Sequence, residues 1–122
     1  MKSYFCFYCN ANADTQDHCP SLSHAQNFSD YDRVLLRACF LCNSMLSDRF
    51  LLTPFKRLEY LKSRYLKRWR RDLDMPSWSD DEIQELEGTL KDEIIRAMKR
   101  KERAVAVISN IQQRIDIFLE AP

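Results

Sequence analysis

The 122-residue sequence has one glycine, four prolines and no apolar run approaching the roughly 18 residues of a membrane-spanning helix. A single glycine, against a usual ~7%, leaves almost nothing for left-handed turn positions. That scarcity excludes sandwiches, barrels and glycine-rich phosphate loops and points to helix. Net charge is nearly missing too. Lys plus Arg number 19 against 18 Asp plus Glu, a formal +1, so overall electrostatics argue for neither nucleic acid nor an anionic membrane. The N-terminus lacks a basic start followed by an apolar stretch, and the chain reads as cytoplasmic, with no membrane partner. Thiols stay reduced in that compartment, so the five cysteines are better explained by metal than by disulfides. A hydrophobic share of 45% is ordinary for a globular chain and speaks against wholesale disorder.

Divided by segment, the neutral average separates. Residues 1–53 hold four basic and five acidic residues, residues 54–74 eight and three, and residues 75–122 seven and ten. The balance is therefore −1, +5 and −3. A basic centre lies between two acidic flanks.

The same divisions mark the expected organisation. Residues 1–53 carry all five cysteines, four of them close to aromatics, together with turn formers and without helical periodicity. Such a segment buries little by itself and needs a metal to fold. Residues 54–122 form a helical extension. Thr53-Pro54 supplies an N-cap and a first-turn proline, and Phe55, Leu58, Leu61, Tyr65, Trp69 and Leu73 line one face of a helix over 54–74. Ser79 and Glu82 form a capping-box pair that starts a short helix over 80–87, with Gly88 as its left-handed stop. A long helix over 90–119 then places Leu90, Ile94, Ala97, Ala104, Ile108, Ile111, Ile115 and Phe118 at alternating four and three spacings, with Lys101 at the one polar place. This heptad stripe serves either as a seam against the preceding helix or as the seam of a homodimer. Both bury the same side chains.

Cys6-Phe7-Tyr8-Cys9 and Cys39-Phe40-Leu41-Cys42 are two C-x-x-C pairs 29 residues apart. Each pair can present two thiolates to one ion from a tight turn, and two pairs complete the tetrahedral sulfur shell that structural zinc prefers. Cys19 is left over. Between the pairs stands Asp17-His18, and Asn43 follows the last cysteine directly. Carboxylate and carboxamide oxygens suit a hard cation such as Mg2+ or Mn2+, and a neutral imidazole beside them can take a proton from water near pH 7. These are components of metal-assisted phosphodiester hydrolysis.

The order Cys6-x-x-Cys9, Asp17-His18, Cys39-x-x-Cys42-Asn43 resembles the HNH endonucleases, over about residues 4–50. Within that group it is most similar to small phage-encoded HNH proteins, whose second knuckle continues as Cys42 to Phe50 does here, followed by a basic helix and a Pro-x-Trp segment like Pro76-Ser77-Trp78. The layout is also similar to phage junction resolvases of the endonuclease seven type. The resemblance implies an α+β, mostly helical protein: a zinc-braced ββα-metal, treble-clef-like module followed by a helical tail. It implies further that His18 is the general base, that Asp17 and Asn43 hold catalytic Mg2+ or Mn2+, and that Cys6, Cys9, Cys39 and Cys42 hold structural Zn2+. Asn27 is the nearest match to the middle residue of the motif. Proline follows His18 after one residue instead of the commoner two, and Leu46 stands where lysine is frequent.

Lys56, Arg57, Lys62, Arg64, Lys67, Arg68, Arg70 and Arg71 surround the non-core faces of the first long helix and are the candidate phosphate contacts. The expected activity is a metal-dependent endonuclease hydrolysing duplex or branched DNA. The alternative is a catalytically degenerate zinc protein of the same fold that binds DNA or inhibits a host protein.

Overall fold

A computed structural model of the chain describes residues 4–19, 34–47, 49, 51 and 53–120, with His18 and Val34 described by main chain alone. The described residues are mostly helical. Strands β1 (Thr15–Cys19) and β2 (Val34–Ala38) precede helices α1 (Phe40–Leu46), α2 (Pro54–Arg68), α3 (Arg70–Leu73), α4 (Asp80–Gln84) and α5 (Gly88–Glu120).

The strands pair antiparallel, Thr15 opposite Ala38 and Asp17 opposite Leu36. Helix α1 follows β2 directly and packs on β1. Its N-cap is Cys39, whose sulfur accepts from the Cys42 amide. This β-β-α order agrees with the coarse expectation for the first segment.

Helix α2 starts as its sequence dictates, with the Thr53 hydroxyl accepting from the Lys56 amide and Pro54 in the first turn. It is shorter than expected. Trp69, at φ −107° and ψ 23°, leaves the helical region and divides 54–74 into α2 and the single turn α3. The Trp69 ring stacks on Tyr65 with 4.7 Å between centroids. The capping box of Ser79 and Glu82 forms in both directions, but α4 ends at Gln84, short of Gly88. Gly88 does adopt the left-handed conformation, φ 65°, and opens α5.

Helix α5 has 33 residues and is about 50 Å long at 1.5 Å per residue. Its heptad stripe packs within the chain, against α2 and α3. Ile94, Ala104, Ile111 and Ile115 are buried, which leaves only the stripe's ends, Leu90 and Phe118, exposed for a second copy. The homodimer expectation therefore loses most of the surface it rested on. Lys101, the polar exception, donates to the Met75 carbonyl at 2.6 Å and to Ser77 Oγ at 3.3 Å, fastening the Pro76 turn to α5.

One core unites the two segments. Cys6, Tyr8, Cys9, Ala38, Cys42 and Leu46 from the first pack with Leu58, Leu61, Tyr65, Ile111 and Ile115 from the second. The cysteine-rich segment and the middle of the α2–α5 pair thus bury each other, which offsets the small apolar surface of either one. Among the described residues, no helix is long and apolar enough to cross a membrane.

Candidate metal centre and the Asp17 cluster

The first knuckle is a turn that closes through Cys6 N to the Ala11 carbonyl, 2.6 Å, and Asn10 N to the Cys6 carbonyl, 3.0 Å. Its chain reversal needs a left-handed residue. Asn10 supplies it at φ 66°, a conformation that asparagine adopts more readily than most side chains. The second knuckle uses the start of α1, where Cys39 caps the helix and Cys42 lies in its first turn.

Together the knuckles place the sulfurs of Cys6, Cys9, Cys39 and Cys42 within 4.8 Å of one another, close enough to hold a metal ion such as zinc. Cys9 Sγ and Cys39 Sγ stand 3.6 Å apart. A regular tetrahedron with metal–sulfur bonds of about 2.3 Å has edges of roughly 3.8 Å, so this spacing matches a filled shell. Three of the four cysteines are buried and Cys39 is half-buried. Crowding separates their titrations: hydrogen bonds from Cys39, Cys42 and Cys9 hold the Cys6 thiol down, whereas the same crowding by Cys39, Cys6 and Cys9 pushes Cys42 up. A cation that displaces the shared protons removes that conflict.

Two contacts from the helical extension reach this centre. The Tyr65 hydroxyl lies 2.9 Å from Cys42 Sγ, and burial followed by the Cys42 charge pushes its pKa up, so it stays a proton donor. Asn110 of α5 donates its side-chain amide to the Cys9 carbonyl at 2.9 Å. The first contact is a hydrogen bond to a candidate ligand atom, the second a brace on a ligand's main chain. Neither was evident in the sequence. Tyr65 read as a core aromatic, and nothing around Asn110 signals a partner 101 residues away.

The residues expected to form a hydrolytic centre are placed differently. Asp17 is 3% exposed. Its carboxylate accepts from the Arg57 guanidinium, with Nη1 at 3.1 and 3.0 Å from its two oxygens, and from the Tyr8 hydroxyl. Burial and then the Asp17 charge push the Tyr8 phenol up, which keeps it a donor. Arg57 itself is fully buried, so the expectation that it contacts phosphate is corrected: the guanidinium neutralises Asp17 inside the protein. Cys19 is buried on the same side of β1, and its thiol donates to the Leu51 carbonyl at 3.9 Å. It stands apart from the four-cysteine cluster. Burial pushes its pKa up, with Arg57 opposing.

Asn43, in α1, turns its amide to β1, donating to Thr15 Oγ1 at 3.1 Å and the Gln16 carbonyl at 3.5 Å. His18 sits in β1 opposite Leu35, its imidazole outside the described residues, as is the whole of Asn27. Of the remaining cations, Lys56, Arg64, Lys67, Arg68, Arg70 and Arg71 are exposed. Lys62 is half-buried and donates to Gln112 Oε1 at 2.5 Å. No family model, curated protein or solved structure matches the chain.

Proposed function

We propose that this chain is a zinc-braced nucleic-acid-binding protein in which an HNH-like layout serves as a scaffold and not as a cutting centre. Zinc is the occupant that four clustered thiolates favour, since soft sulfur ligands in a closed shell select it over hard cations. The observation that carries the scaffold reading is the state of Asp17. Its carboxylate is buried and already neutralised by Arg57, with Tyr8 holding it further, so a hydrated Mg2+ would have to displace a guanidinium from the interior. Binding draws on exposed cations of the helical extension, whose first part, residues 54–74, carries a segment charge of +5.

Hydrolysis is the second reading, and one feature favours it. The β-β-α order puts Asp17 and His18 on the strand to which Asn43 is fastened. A divalent cation there would need Asp17 to exchange Arg57 for the metal.

One experiment with the full-length, zinc-loaded chain separates the two. Duplex DNA retarded in a gel shift, with supercoiled plasmid left intact under Mg2+ and Mn2+, supports the scaffold reading. Metal-dependent nicking by the wild type that is lost in His18→Ala overturns it in favour of hydrolysis. Neither retardation nor nicking rejects both.

A further inference from the structure

Helix α5 carries a second stripe beside its core seam. Arg96, Arg100, Arg103, Val107, Asn110 and Arg114 each stand one residue before a member of the seam, so they are turned from it by about 100°. The lower half of this stripe faces the metal module. Asn110 donates to the Cys9 carbonyl, and the Arg114 guanidinium lies 5.4 Å from the centre of the Phe7 ring. The upper half, Arg96, Arg100 and Arg103, continues past the module on the same side of the molecule and is exposed.

Helix α2 has a matching line. Arg57 reaches Asp17, Leu61 is buried and Tyr65 touches Cys42, so residues at these spacings face the module. Arg68 is the next member and is exposed. Beyond it, Asp72 meets Arg100 across the helix pair at 3.4 Å, which sets the ends of the two lines side by side. Residues one place after the α2 line turn towards α5, as Lys62 does to Gln112. Those one place before it, Lys56 and Lys67, are turned about 100° from it in the other sense, Lys67 bordering the outer groove that Gln112 and Ile115 also line.

We infer that Arg68, Arg96, Arg100 and Arg103 form a single phosphate-binding shelf that runs along α5 away from the first knuckle, and that its ligand is the backbone of a nucleic acid duplex. The inference rests on the nucleic-acid-binding reading above and locates its contact surface. All four residues are arginines, whose planar fork suits phosphate oxygens better than an ammonium does. Asp72 is engaged by Arg100, Glu102 is turned about 100° from Arg103, and Asp92 and Glu93 border the shelf only at its far end, one turn before Arg96. The shelf thus combines residues from a segment of net charge −3 with one from the basic segment. Segment sums hide it.

The test is fluorescence anisotropy of a labelled mixed-sequence DNA duplex with the full-length zinc-loaded chain, titrated between ~50 and ~200 mM salt. Each phosphate contact contributes about 0.9 to the log-log salt slope, so Arg96→Gln with Arg103→Gln reduces the slope by up to about 1.8. The charge-matched pair Lys56→Gln with Lys67→Gln changes it by well under half of that. Circular dichroism of both pairs checks that α5 is intact. If the wild type binds and the arginine pair leaves the slope unchanged, or both pairs lower it equally, the shelf is wrong while the binding reading stands. If the wild type binds no duplex at ~50 mM salt, the reading and the shelf fall together.

Discussion

Removing the charge of Asp17 has opposite effects on stability in a buried ion pair with Arg57 and in an open metal site, so an unfolding measurement distinguishes the two. A carboxylate poised for a divalent cation is solvated and poorly compensated before the metal arrives. Removing its charge then costs little or raises stability. A carboxylate in a buried ion pair behaves in the opposite way. Arg57 is fully buried and Asp17 is 3% exposed, with Nη1 of Arg57 within 3.1 Å of both oxygens. Deleting one partner strands the other charge in the interior, at a cost of about 3–5 kcal/mol. Replacing both by apolar side chains of similar volume removes the stranded charge and recovers much of the loss. The assay is urea unfolding of the zinc-loaded chain for Asp17→Asn, Arg57→Met and the combination Asp17→Leu with Arg57→Met. With a slope of about 2 kcal/mol per molar urea, each single variant lowers the midpoint by roughly 1.5–2.5 M. The combination sits closer to the wild type than either. A midpoint within about 0.5 M of wild type for Asp17→Asn refutes the pairing and returns Asp17 to the pool of metal ligands.

Two further outcomes follow from the tyrosines. Tyr65→Phe keeps the ring stacked on Trp69 but deletes the hydrogen bond to Cys42, and zinc retention against a chromogenic chelator falls about 10- to 100-fold; unchanged retention shows that the hydroxyl does nothing for the metal. Tyr8 gives a pH signature. Its folded-state pKa is raised, by burial first and by the Asp17 charge second, so its contribution to stability is complete below the ordinary value near 10. Above that pH the unfolded chain releases the phenolic proton while the folded chain keeps it, and stability falls by about 1.4 kcal/mol per pH unit for this residue. The difference in unfolding free energy between wild type and Tyr8→Phe therefore narrows above pH ~10, and a constant difference contradicts the burial argument.

The sequence made the candidate metal ligands legible because zinc imposes a spacing that few other constraints reproduce, and the structure brings all four sulfurs together. The starts of α2 and α4 were legible for a similar reason, since a cap is a local arrangement of a few residues. The stripe of α5 was readable, but its partner was not, because packing within the chain and packing between chains select the same apolar residues. Lys101 was visible as an exception and acquired a reason only when the Pro76 turn was seen against it. Trp69 fits the apolar spacing of a continuous helix, so the break there has no signature in periodicity.

The Asp17 cluster was illegible for a physical reason. An Asp-His dipeptide looks the same in a solvated site and in a core. The deciding partner, Arg57, lies 40 residues on, in a helix where eight cations read alike in sequence. Its spacing did hold a hint. Arg57 precedes Leu61 and Tyr65 by four and eight residues, on the line that faces inward, whereas Lys56 does not share it.

In the proposed scaffold one metal ion, held by the four cysteines, organises a core shared by the knuckles and the long helices. The most direct test is hydrogen exchange of the full chain, with metal content measured by mass spectrometry, before and after chelation. Structural zinc contributes on the order of 10 kcal/mol, comparable with the whole stability of a domain. The expected result is one zinc per chain, with protection lost on chelation in β1, β2 and α1 and also in the middle of α2 and around Asn110 of α5. A chain that carries no metal, or one whose α2 and α5 protection survives chelation unchanged, contradicts this role of the metal.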